Sequence, residues 1–352
     1  MKIITKYFTK QLIAIFIMLL LVLTGLSWML QVMSMMKFLL NYGIDLTNFV
    51  GLTALMIPFI VSIIIPFVAF IAVIFVYNKM IGDNEITVLA ASGLSPGQIA
   101  KPALSMAIIL AILHWILNIW VVPMTQAKFY DTQWELRYGL AHMKIQESAF
   151  TQMANDLVVY VDKVSGYDLS QVMLYDKRDP QSEKAIFAEK GKLITTTRGL
   201  TIAMTNGALQ SRDESLTVGT FESFDMDLNV ADKAGESVFK IRRISTLELL
   251  QTVTKQTEER HHKLALSEIC SRLLGPIMNL ILVTLCLVIL LRSSLLRRRA
   301  SMSPIIAVGV MAMTMALFMS VSNMTSSLTD VALVGVMQMV ILMGALAFLF
   351  KK

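Results

Sequence analysis

The chain has 352 residues, of which 55% are hydrophobic and only 16% charged, with a formal net charge of +6. That balance excludes an ordinary soluble domain and points to a membrane protein. The basic excess follows topology, so no nucleic-acid partner is inferred from it.

Cutting the sequence at every Asp, Glu, Lys and Arg leaves six long uncharged spans: 11–36, 46–78, 102–127, 273–291, 300–329 and 331–350. Roughly 20 helical residues cross a ~30 Å hydrocarbon layer, and all six pass or nearly pass that test. The first span follows Lys2, Lys6 and Lys10 in the manner of a signal peptide. Its apolar run is too long for one and lacks a small-x-small cleavage pattern before Lys37, so it is expected to stay. Basic residues at both ends and in two loops (Lys79, Lys101, Arg292, Arg297, Arg298, Arg299, Lys351, Lys352) predict cytoplasmic termini. Cys270 and Cys286 stand too far apart along one helix to bridge.

Between the second and third spans lies a polar-capped segment, Gly82 to Pro96. Asp83 or Asn84 can cap a helix, Glu85 suits its first turn, Gly93 its left-handed end, and Pro96 prevents continuation. Ile86, Leu89 and Ala90 give the helix a small apolar face. A rod this short is marginal in water and needs a support. It is either an interfacial helix on the headgroups or the bundle, or a coupling helix seated in a cytoplasmic ATPase with Glu85 as its polar contact.

The third span runs on into 124–266, where the period becomes that of strands. Runs at 157–161, 172–175, 185–188, 192–196, 200–204 and 216–221 are predicted strands, with turns at Ser165-Gly166, Asp179-Pro180, Arg198-Gly199 and Asn206-Gly207. The layout is three spans with a coupling helix (1–123), an exterior all-β domain with helical stalks (124–266), and three more spans (267–352). Open sheet edges in such a domain can dock an edge from another protein.

The run Glu-Ile-Thr-Val-Leu-x-Ala-Ser-Gly-Leu-Ser from Glu85 to Ser95, the Glu268-x-x-x-Arg272 pair, and this layout resemble the LptF and LptG permease family of the lipopolysaccharide exporter. Thr87 and its neighbours are more similar to the F type. The stretch Lys79 to Asn84 departs from the family pattern in being less acidic. The resemblance implies a jelly-roll-like periplasmic domain on a six-helix membrane protein of the bacterial inner membrane. It also implies a G-type second permease, a cytoplasmic ATPase dimer that binds the ATP and magnesium, and periplasmic bridge proteins of LptC and LptA type. Lipopolysaccharide would be the cargo. Glu85, Ile86, Leu89 and Gly93 are then the ATPase-coupling residues.

No phosphate-loop motif occurs, so ATP hydrolysis belongs to a partner, and the chain is expected to hold no cofactor itself. The spans carry no mid-membrane carboxylate, which disfavours a proton-coupled carrier. His114 reads as a neutral imidazole hydrogen-bonded within the bundle rather than a proton relay. His261 and His262 beside Glu258 and Glu259 are not a metal site, because adjacent helical residues point about 100° apart. Lys37, beyond the first span, either snorkels or pairs with a phosphate of an anionic lipid, and the family favours the phosphate. Glu268 and Arg272 suit an ion pair, with substrate contact by Arg272 as the further possibility. Met311, Met315 and Met319 in one row and Ala312, Ala316 and Ser320 in the next suit a lateral gate, or a fixed lipid-facing stripe. Two other readings remain: a mechanical coupler that moves no lipid, and a membrane-tethered enzyme, which the absence of histidine from 146–240 disfavours.

Overall fold

The computed structural model describes residues 2–42, 45–139, 146–154, 156–178, 183–196, 199–212, 216–228, 241–255, 259–295 and 302–351. The Asp179-Pro180 turn, Arg198, Glu258 and Arg297 to Arg299 lie outside them. Two compact units emerge, one of Met1–Ser34, Thr53–Phe129 and Ser237–Lys352, the other of Met35–Leu52 and Tyr130–Glu236.

The helices are α1 (Lys2–Tyr42), α2 (Leu46–Ala54), α3 (Ile57–Gly82), α4 (Glu85–Ala91), α5 (Pro96–Ile116), a π-helical turn (Leu117–Val121), α6 (Val122–Gly139), α7 (Thr246–Lys255), α8 (Glu259–Leu274), α9 (Ile277–Leu295), α10 (Ser303–Met324) and α11 (Leu328–Phe350). Among the described residues five stretches are long and apolar enough to cross a membrane, and the bent pair α8 and α9 makes a sixth if it crosses as one span. In the first unit α9 is the hub, packed against α3, α5, α10 and α11. Its Ile281, Leu282, Val283, Cys286, Leu287 and Leu290 are almost wholly buried. Elsewhere the helices expose large apolar side chains such as Leu21, Leu30, Met313 and Val340, as a lipid-facing surface requires.

The expected fourth span, 273–291, is one helix from Ile277 onward, but its first residues belong to the preceding helix: His262–Leu274 and Ile277–Arg292 meet at 54°. Pro276 has no N–H to give the preceding turn, and its ring clashes with the carbonyl four residues back. Glu268 and Arg272 therefore sit on a separate helix from the buried hub.

The second unit holds one six-stranded antiparallel sheet in the order β1 to β6, and it is not closed. Its strands are β1 (Ala149–Ala154), β2 (Leu157–Ser165), β3 (Asp168–Asp176), β4 (Glu183–Thr196), β5 (Gly199–Arg212) and β6 (Leu216–Asp227). Every strand pairs with its sequence neighbour, so the described strands form a meander, without the crossing connections of a jelly roll. The runs at 185–188 and 192–196 prove to be one strand, and β1 carries too weak an alternation to stand out in the sequence. Asn206-Gly207 is no turn but lies within β5. Any side chain at 207 would collide with the Phe187 carbonyl and the Phe221 ring, so glycine there serves close packing.

One sheet face buries Val159, Leu174, Ile186 and Ile202. On the other, pairing aligns Phe150, Tyr160, Met173, Phe187 and Ala208 across five strands. Phe150 and Phe187 remain 68% and 43% exposed. Along this row Tyr160, Met173, Phe187 and Ala208 line a cavity of about 460 Å³.

Arg178, just past β3, donates to the Asp227 carbonyl at the end of β6 at 3.2 Å, linking two strands that are not neighbours in the sheet. Its Nε and Nη2 donate to the two carboxylate oxygens of Asp176 at 2.8 and 2.7 Å. Burial pushes the Asp176 carboxyl upward, but the hydrogen bonds and charge of Arg178 more than offset this and hold it below its ordinary value of 3.8. A carboxyl depressed on folding adds stability above its unfolded pKa, and that stability is lost as pH falls through the folded value. Hydrogen exchange of β3 and β6 amides in the intact chain should therefore slow from about pH 3 to pH 5 beyond the intrinsic pH effect, then level off. Asp176→Asn should flatten that rise and cost about 1 kcal/mol at neutral pH.

Candidate functional site

A cavity of about 350 Å³ opens within the helical unit among α3, α5, the π-helical turn, α8 and α10. It is amphipathic. Arg242, Ser267, Glu268 and Asn323 stand at one end, while Phe67, Met278, Met315 and Phe318 form apolar wall. Ser267 donates to Asn323 Oδ1 at 3.2 Å, tying α8 to α10 at the polar end.

Arg272 builds that end. Its side chain is only 3% exposed, and its Nε donates to Glu268 Oε1 at 2.9 Å. Nη1 donates to the Ile244 carbonyl at 2.9 Å and to Thr246 Oγ1 at 3.3 Å, and Nη2 to the Arg242 carbonyl at 2.9 Å. The expected i,i+4 pair is present, and the guanidinium also pins the segment ahead of α7 to α8. Such engagement satisfies a buried cation and leaves it little freedom to meet substrate. The freer cation is Arg242, whose sequence gives no sign of a role. It lies 3.7 Å from Glu268, is 39% exposed, and places its guanidinium 5.2 Å from the centre of the Phe59 ring. Two arginines share one carboxylate, so the rim keeps a net positive charge.

The methionine row divides. Met315 is buried and, with Met319, lines the cavity, whereas Met311 is half-buried against the core. Ala312 and Ala316, about 100° further round the helix, are exposed. Lys37 is carried by α1, and its side chain lies outside the described part. So do the side chains of His261 and Glu259. Among the described residues no cluster of His, Cys, Asp and Glu has a metal-holding arrangement.

His114 is 4% exposed and sits in the polar wall with Ser62 and Asn118. Ser62 Oγ lies 3.2 Å from its Nε2, and Asn279 Nδ2 lies 3.1 Å from its Nδ1. Ser62 also donates to Asn118 Oδ1. The group contains no carboxylate and fits a neutral imidazole.

At the opposite end of α3 and α5, α4 spans Glu85–Ala91. Asn84 precedes it with φ 59° and makes no side-chain cap, unlike the capping expected of it. Gly93 turns at φ 90° and lets Leu94 N–H reach the Leu89 carbonyl at 3.2 Å. Ser95 and Gln98 then form a capping box that starts α5. Ile86 is buried and Leu89 packs against the same core, beside Phe8, Tyr77, Met80 and Ile99. The apolar face is thus held by the chain's own bundle. Glu85 is half-buried, and Val88, 66% exposed, points outward.

The family model described as lipopolysaccharide export system permease LptF/LptG matches residues 6–352. An uncharacterized protein of Rickettsia prowazekii is 23% identical over 294 residues, 82% of this chain and 81% of that protein. The lipopolysaccharide export system permease protein LptF of Escherichia coli K12 is 23% identical over 159 residues, 44% of this chain and 43% of that protein. LptF of Shigella flexneri matches to the same extent, so the alignment with these named proteins spans less than half their length.

Removing the buried guanidinium should leave Glu268 with Arg242 alone and release the 241–246 segment. Arg272→Ala should cost about 3 kcal/mol in thermal unfolding of the detergent-solubilised chain, and Arg272→Lys should recover little, lacking the planar fork. Near-normal stability of both variants would show that the clamp carries no weight.

Proposed function

Because the chain belongs to the LptF/LptG family of lipopolysaccharide export permeases, we propose that it is one membrane subunit of an ATP-driven extractor that takes lipopolysaccharide out of the inner membrane. The observation that carries this reading is the amphipathic cavity, with a net positive rim above apolar walls. An anionic, multi-acyl lipid has the matching polarity. One such cavity is far smaller than that cargo, so a second, homologous subunit would complete the chamber, with this chain as the F-type partner of a G-type one. The E. coli and Shigella relatives, both LptF, support that assignment.

Lipid would enter sideways between α1 and α10, whose exposed apolar faces supply a lipid-contacting surface. Arg242 would hold a phosphate at the cavity rim, and Lys37 would be a separate contact for a lipid phosphate. Met315 and Met319, unbranched and adaptable, would shift as acyl chains pass. An ATPase dimer below would grip α4 through Glu85 and Val88, while Ile86 and Leu89 anchor that helix inward and Gly93 closes it. Its closure would shrink the chamber and drive lipid toward the β unit. There the apolar row from Phe150 to Ala208 would receive acyl chains, and an open sheet edge would join the periplasmic bridge. The termini would face the cytoplasm and the sheet the periplasm.

Reversing the charge at the ATPase contact should break coupling before assembly. Glu85→Lys is expected to lower lipopolysaccharide release per ATP at least tenfold in reconstituted vesicles, or to lose the ATPase on purification, since misplaced charge at an interface costs ~1.4 kcal/mol or more. Unchanged release and assembly would remove Glu85 from the mechanism.

Charge at the lipid contacts is tested separately. Lys37→Glu and Arg242→Glu should each reduce photo-crosslinking of lipopolysaccharide to the complex by roughly threefold or more. Equal crosslinking by Lys37→Glu would return that lysine to simple snorkelling.

A further inference from the structure

The short helix α7 divides its surface into three strips. Ser245 starts it, its hydroxyl accepting from the Glu248 N–H at 3.3 Å. Leu249 and Val253, four apart, are buried in the cluster that holds Leu266, Ile269 and Val334. Leu247 and Leu250, three apart on the next strip, are 72% and 37% exposed. Glu248 and Gln251 are exposed on the third. Two uncovered leucines decide nothing by themselves, since apolar side chains are common on protein surfaces. Their depth decides it.

Thr246 Oγ1, at the head of α7, donates to the Ile119 carbonyl at 3.3 Å. Ile119 lies about 27 Å of helix beyond Lys101, the last charged residue before the third span, at ~1.5 Å per residue. A hydrocarbon layer ~30 Å thick that begins near Lys101 therefore ends close to Ile119. Its neighbour Trp120 is 61% exposed, as suits an aromatic side chain at a membrane–water boundary. The first turn of α7 thus stands at the edge of the hydrocarbon with Leu247 directed away from the bundle. One apolar strip inward, one apolar strip outward and a polar strip beside it is the surface division of a rod lying along an interface.

We propose that α7 is a membrane-surface helix, its Leu247 and Leu250 strip seated where the headgroups meet the acyl chains and its Glu248 and Gln251 strip turned to water. The occupant of the apolar strip is the bilayer itself, not a transported lipid or a second protein. Arg272 bonds to Thr246 and to the Ile244 and Arg242 carbonyls just ahead of α7. Through that clamp the bilayer surface sets where the charged rim of the cavity stands.

The full chain in phosphatidylcholine nanodiscs, with and without a nitroxide near the top of the acyl chain, provides the test. A nitrobenzoxadiazole fluorophore is attached at Leu247→Cys, Leu250→Cys or Glu248→Cys. Cys270 and Cys286 are buried, and wild type carried through the same labelling gives the background. All three sites are exposed, so thermal unfolding should match that of wild type. A strip seated ~5–10 Å into the headgroup–acyl boundary meets the nitroxide, so emission from 247 and 250 should fall by roughly half or more and that from 248 by much less. Aqueous iodide should quench in the reverse order. Nitroxide quenching at 247 and 250 no stronger than at 248 overturns the proposal. Strong iodide quenching at 247 and 250 would then mean that the strip faces water, and shielding from both quenchers that a protein surface covers it.

Discussion

The Arg272 guanidinium, 3% exposed and bonded to one carboxylate, two carbonyls and a hydroxyl, is the constraint on which the polar end of the cavity depends. An unpaired cation at that depth would cost several kcal/mol, so its partners must be in place together. Those partners belong to α8 and to the chain leading into α7. Meeting them fixes where Arg242 stands, which gives the cavity its charged rim, and Glu268, shared by both arginines, leaves that rim positive.

Sequence patterning carried the transmembrane layout a long way, because uncharged runs of sufficient length have few other uses. It carried the β unit less far. Glu189, Lys190 and Gly191 look like a break between two strands, yet they continue β4, since the pairing with β3 and β5 outweighs their weak strand preference. Asn206-Gly207 has the chemistry of a turn and the surroundings of a strand. Pro276 is plain in the sequence, but whether a proline kinks a span depends on what packs beside it.

Site residues were legible in proportion to how local their geometry is. Glu268 and Arg272 lie four apart on one helix, and their ion pair follows from spacing alone. Ser62, His114, Asn118 and Asn279 come from three separate helical stretches, and nothing in the sequence announces their meeting. In the sequence His114 is distinguished only as an ionisable group in an apolar span. Arg242 was invisible for a different reason: it sits next to Arg243, and only the tertiary contacts with Glu268 and Phe59 distinguish the two. The small apolar face of α4 is legible in its spacing, but periodicity cannot say whether such a face turns toward another protein or toward its own.

That inward face has a mechanical meaning. Ile86 is locked among Tyr77, Met80 and Ile99, and the Tyr77 hydroxyl donates to the Ile99 carbonyl at 2.9 Å, riveting α3 to α5 just behind the short helix. A connector fastened in this way has no independent swing. Any displacement imposed on it is delivered to two long rods at once, and their far portions carry Ser62 and Asn118. A load on the short connector and the polar wall of the cavity are thus opposite ends of a single lever.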